Sequence, residues 1–85
     1  MSYQVIVSSK VEKFLLSLSN KEFRQIKDAI ASMSSDPRQG SALTGQLKGL
    51  WSWRTGNYRI IYEILDQSLR VLVVRIGTRK RVYSR

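Results

Sequence analysis

The chain opens on "YQVIVS", where apolar and polar positions alternate at period two, the signature of a half-buried strand. The spacing then becomes helical. Val11, Phe14, Leu15 and Leu18 recur at intervals of three and four behind Ser9 and Glu12, which stand at capping-box spacing. Ser19 and Glu22 repeat the cap signal at once, and Phe23, Ile26, Ile30 and Met33 form a second apolar stripe. That stripe stops before "SDP", because proline has no amide hydrogen to continue a helix. Two helices joined so closely predict an antiparallel hairpin whose stripes are core.

From Arg38 to Gly45 the stretch "RQGSALTG" reads as loop. Beyond it the period returns to two in "LWSWR", "YRIIYEIL" and "LRVLVVRIG", separated by the short connections "TGN" and "DQS". Three strands linked this tightly predict an antiparallel meander, with the helices covering one of its faces. The expected fold is α+β: an N-terminal strand, a two-helix hairpin and a three-stranded meander, as one domain over residues 1–85. Periodicity leaves open whether the first strand joins the sheet at its edge or in its middle, although the intervening helices allow a parallel crossover.

Strict alternation sorts the side chains of the meander. Trp51 and Trp53 share a face against Leu50, Ser52 and Arg54; Tyr58, Ile60, Tyr62 and Ile64 oppose Arg59, Ile61 and Glu63; Leu72, Val74 and Ile76 oppose Val71, Val73 and Arg75. With the more apolar set against the helices, the other face collects Arg54, Arg59 and Arg75 into a concave cationic surface. Arg75 also reads as a solvated strand residue and is left out of the candidate site. Trp51 and Trp53 have no glycine–aromatic motif around them and read as core before they read as base-stacking platforms.

Charge sharpens this picture. Residues Met1–Pro37 hold five Lys/Arg against four Asp/Glu, whereas Arg38–Arg85 hold ten against two, so the second part carries nearly all of the net charge of +9. A one-sided cationic field marks a polyanion partner, since Lys and Arg that neutralise phosphates release condensed counterions. Arginine is apt for a phosphodiester because its planar fork donates two parallel hydrogen bonds and stays charged. The sequence has no cysteine and no histidine, which removes disulfides, thiolate metal sites, the commonest metal ligand and the usual general base. No metal or cofactor is expected. The hydrophobic fraction of 42% suits a globular core. No stretch reaches the roughly 18 apolar residues of a membrane span, and "MSYQVIVSSK" is too short and strand-like for a signal peptide, so a cytoplasmic location without membrane contact is expected.

The order of motifs, "LKGLWSWRTGNYRIIYEI" followed by "VLVVRIGTRKRVY", resembles the RelE/ParE superfamily of type II toxins, its RelE branch more than its ParE branch. The resemblance covers nearly the whole chain, and "R-x-G-x-Y-R-I-I-Y-E" and "G-x-R-x-x-V-Y" are its most specific pieces. It implies a toxin that cuts mRNA in the ribosomal A site by attack of a ribose 2'-hydroxyl on the adjacent phosphate, leaving a 2',3'-cyclic phosphate and a 5'-hydroxyl. On this resemblance Arg59 binds the scissile phosphate, Arg79 stabilises charge or protonates the leaving group, and Tyr83 is the base and a stacking platform. Arg54 borders the substrate. Neighbouring cations would depress the Tyr83 pKa from its ordinary value of about 10 by stabilising the phenolate.

Better-studied RelE enzymes carry two lysines where this chain has Leu50 and Ser52, and its tail is two residues shorter between Arg79 and Tyr83. Lys48, Lys80 or Arg81 are the candidates to supply the missing RNA-binding charge. The resemblance further implies a cognate RelB-like antitoxin in a heteromeric toxin–antitoxin complex, with ribosome and mRNA as the other partners. A ParE-like toxin that poisons DNA gyrase, or a non-catalytic member that binds antitoxin or ribosomal RNA, would use the same fold.

Overall fold

Serine hydroxyls start both helices. The computed structural model describes residues 2–78. Strand β1 (Gln4–Val7) leads into α1 (Ser9–Leu16), which is capped by Ser8, whose side chain accepts the Val11 amide. The cap lies one residue before the expected Ser9, because Ser8 keeps the extended backbone of β1 and so aims its hydroxyl at the first helical turn. α2 (Asn20–Ser35) has the full capping box predicted from Ser19 and Glu22. Its innermost residues are Ile26, Ala29 and Met33; Phe23, expected on the same stripe, is 38% exposed, since one helical turn nearer the N-terminus the stripe rotates off the sheet.

The sheet has five strands in the order β1-β5-β4-β3-β2: β2 (Ser41–Ala42), β3 (Trp51–Thr55), β4 (Tyr58–Leu65) and β5 (Arg70–Thr78) follow the helices. β3, β4 and β5 form the expected antiparallel meander. β1 joins at the edge, parallel to β5, with Val5 beside Val71 and Val7 beside Val73. The two-residue β2 arises from the stretch read as loop; it pairs Ser41 with Ser52 and Ala42 with Trp51, and is too short to carry a period. The β3–β4 turn needs only Gly56 and Asn57, and Gly56 supplies the left-handed backbone with φ +58°.

Both helices lie on one face, α1 against β5 and α2 against β3. Ile26, Met33, Ile60, Tyr62, Val71 and Val73 are fully buried there, and Trp51 and Trp53 pack against them as core residues. Strict alternation fails in β5. Tyr62 pairs with Val73 while Ile61 pairs with Arg75, so Val74 is an extra, bulged residue. The bulge places Val71, Val73 and Ile76 together in the core and turns Arg75 outward, where alternation had put Leu72, Val74 and Ile76 on one side. No helix among the described residues is long and apolar enough to cross a membrane.

Candidate functional site

On the face away from the helices, the β3–β4 register sets Arg54 directly opposite Arg59, and Ser52 opposite Ile61. Like charges opposed across an antiparallel pair repel. Arg59 is half-buried, and its Nη1 donates to Ser52 Oγ at 3.3 Å. Ser52, at 4% exposure, is the most buried polar residue among those described. On its other flank Arg59 faces Gly77, which offers no side chain to crowd the guanidinium.

These residues form the floor of a cleft of about 600 Å³ lined by Gln39, Gly40, Ser41, Ser52, Trp53, Arg54 and Arg59. Its wall, residues 39–41, is held from beneath. Tyr62, in the core, donates its hydroxyl to the Pro37 carbonyl, and burial pushes the phenol up to about 12, so it stays a donor throughout the physiological range. Gly40 is required by close approach. A Cβ there would lie 2.1 Å from the Tyr62 hydroxyl and 2.8 Å from the Ser52 carbonyl. From the outside, Arg38 makes a two-pronged pair with Asp66, donating Nη1 to Oδ1 at 3.0 Å and Nη2 to Oδ2, while the Tyr3 hydroxyl donates to the same Oδ1 at 2.8 Å. The Arg38 guanidinium, with help from Tyr3, holds the Asp66 carboxyl below the usual carboxylate range.

The structure therefore brings Arg54 and Arg59 to one site. Arg75 lies on the same face but borders a separate hollow of about 150 Å³ with Lys10, Val11 and Phe14, so the expected three-arginine surface is a two-arginine cleft. Lys48 is exposed after the turn Gly45–Leu47 and does not line the cleft. Arg79, Lys80, Arg81 and Tyr83 lie outside the described residues. Sequence reading missed Gln39, Gly40, Ser41 and Ser52. The one local signal was the pair Gly40–Ser41 in a loop-like stretch; alternation puts Ser52 on the Arg54 face, but it stood there as a position without lysine and was given no role. Among the described residues no cluster of carboxylates has the make-up to hold a metal ion. What the cleft can do is seat a small anion between two guanidinium charges.

Comparison with known proteins places the fold that carries this cleft. Residues 5–83 match the sequence model of the ParE toxin of the type II toxin–antitoxin system, parDE. Toxin RelG of Mycobacterium tuberculosis is 34% identical over 61 residues, 71% of this chain and 70% of that protein. Among solved structures, the toxin–antitoxin complex RelBE2 from the same organism superposes with a TM-score of 0.84 at 28% identity, covering 93% of this chain and 100% of that one. The isolated E. coli RelE toxin has the same fold, with a TM-score of 0.77 at 20% identity over 98% and 93% of the two chains. With the family match running through every strand and helix described above, the chain belongs to the RelE/ParE superfamily of type II toxin–antitoxin toxins.

Proposed function

We propose that this toxin is a ribosome-dependent mRNA endonuclease that acts in the cytoplasm and is restrained by a RelB-like antitoxin. The observation that carries this reading is the pair Arg54–Arg59, opposed in register and lining one polar cleft. A backbone phosphate seated between the two guanidinium groups relieves their repulsion and accepts hydrogen bonds from both. The nucleophile belongs to the substrate: the 2'-oxygen attacks the adjacent phosphorus, the bond to the 5'-oxygen breaks, and a cyclic phosphate and a 5'-hydroxyl result. The protein is asked for charge at the phosphorane and for two proton transfers. Arg59 supplies the charge, Tyr83 takes the 2'-proton, and Arg79 assists the departing oxygen. Lys48, Lys80 and Arg81 add attraction for the messenger.

The matching family model is described as a ParE toxin, which favours one other reading, the ParE-like one, in which the target would be DNA gyrase. Primer extension on mRNA from an in vitro translation reaction decides between them. Cuts in register with codons are expected, and the variant Arg59→Ala should slow them by roughly 100-fold or more, the scale of losing one transition-state donor. Its thermal melting should stay near wild type. Intact mRNA together with inhibited DNA supercoiling would replace this reading with gyrase poisoning.

A further inference from the structure

We infer that Ser52 is a positioning residue for this reaction: it anchors the Arg59 guanidinium in the cleft against the push of Arg54. The inference rests on the proposed reading of the cleft and deepens it. Ser52 sits on β3 diagonal to Arg59 on β4, two register pairs along from the opposed arginines and on the same face, and a long side chain spans that diagonal. Its hydroxyl accepts from Arg59 Nη1 at 3.3 Å. The backbone of the same serine is roofed by Gly40, close enough that an added Cβ would meet its carbonyl at 2.8 Å. Ser52 is only 4% exposed, and a hydrogen bond kept from water is electrostatically stronger than an exposed one.

The pairing has a direction. Arg54 is exposed and, among the described residues, makes no ion pair that would hold it back, so its charge bears on Arg59 across the strand pair. A hydroxyl lone pair on the Arg59 side resists that push; a cation at position 52 would add to it. The serine is therefore suited to a cleft in which one arginine is fixed and the other is free to close on the phosphate. A buried side chain as small as serine also leaves the cleft open, which a longer residue at 52 would fill.

Two readouts on the full 85-residue chain test this. In Ser52→Ala, nitrogen relaxation at the Arg59 Nε–Hε group should report a more mobile guanidinium, with Ser52→Thr restoring order. On programmed ribosomes Ser52→Ala should lower kcat about tenfold with KM nearly unchanged, on the scale of a hydrogen bond to a charged group. The same change in an Arg59→Ala background should add nothing. Unchanged Arg59 mobility in Ser52→Ala overturns the inference, as does an equal loss of kcat in the Arg59→Ala background. If the wild-type chain leaves mRNA intact, the proposed function falls, and the relaxation measurement alone decides the role of Ser52.

Discussion

Along β4 the helix side and the open side obey opposite rules within a few residues of each other. Ile60 and Tyr62 are fully buried, whereas Arg59 and Glu63 are only half covered. One side removes apolar surface from water, and each fully buried large side chain stabilises the fold by about 1.5–3 kcal/mol. The other side sets Arg54 against Arg59, an opposition that costs on the order of 0.2–1 kcal/mol. A single core residue outweighs that cost. The sheet can therefore hold a frustrated, charged cleft because its reverse face is well packed; on the open side of β4 only Ile61, opposite Ser52, is buried as the core residues are.

The separation is broken most severely from the core side. Ile26 is fully buried in α2, and Ile26→Ala should destabilise the protein by about 2–5 kcal/mol, lost transfer energy plus the cavity left behind. That is a large share of the roughly 5–15 kcal/mol that a domain has in total. Denaturant unfolding checks it. Cleavage per folded molecule, measured where the variant is still native, should match wild type. A variant that keeps its stability but loses specific activity would show that the two faces are not separable.

Gly40 is the place where the faces meet, and Gly40→Ala should register on both. Its Cβ would press on the Tyr62 hydroxyl from the core and on the Ser52 carbonyl from the cleft floor. Relief requires movement of residues 39–41 or of Tyr62, at a cost of about 1–3 kcal/mol. The hydrogen bond from Tyr62 to Pro37 is the first to suffer. Melting temperature and cleavage rate should fall together, in contrast with Ile26→Ala. Wild-type cleavage in Gly40→Ala would mean that the wall at residues 39–41 contributes nothing to the site.

What was legible in the sequence follows the same division. Both helices, the meander and the opposition of tryptophans to Arg54 could be read because helical and strand periods record burial, and burial is what the helix side is made of. β2 could not, since two residues carry no period, and its pairing depends on the approach of Gly40 to Tyr62 across distant sequence. The bulge at Val74 was equally invisible: "RVLVVRI" fits either phase, and only packing against α1 and β4 selects the one that buries Ile76. Arg54 and Arg59 were found through their motif and their alternation. Ser52 was passed over because a small polar residue in a strand says nothing until its diagonal neighbour is known.

The smallest expected effect belongs to the outer fastening of the cleft wall, the cluster of Tyr3, Arg38 and Asp66. Arg38 and Asp66 are each about half exposed, with 50% and 52% of their side chains open to water, so their attraction is screened. Asp66 is held below its ordinary pKa, by Arg38 first and Tyr3 second. A carboxyl depressed in the folded state adds stability above its unfolded pKa, near 3.9, and loses it as the pH falls through the lower, folded value. Asp66→Asn should therefore lower the melting temperature by less than about 5 °C at neutral pH, and the gap to wild type should narrow as the pH falls below the unfolded value and through the lower, folded one. Some acid sensitivity should survive in the variant, because Glu22 is likewise depressed by the Tyr58 hydroxyl and by Ser19. Thermal melts from neutral pH down through the acid range, in low and high salt, measure all of this. Because this fastening touches the wall at Arg38 and leaves the core intact, cleavage at neutral pH should drop less than in Gly40→Ala. A larger drop would move the control of the cleft from the buried Tyr62 to the exposed pair.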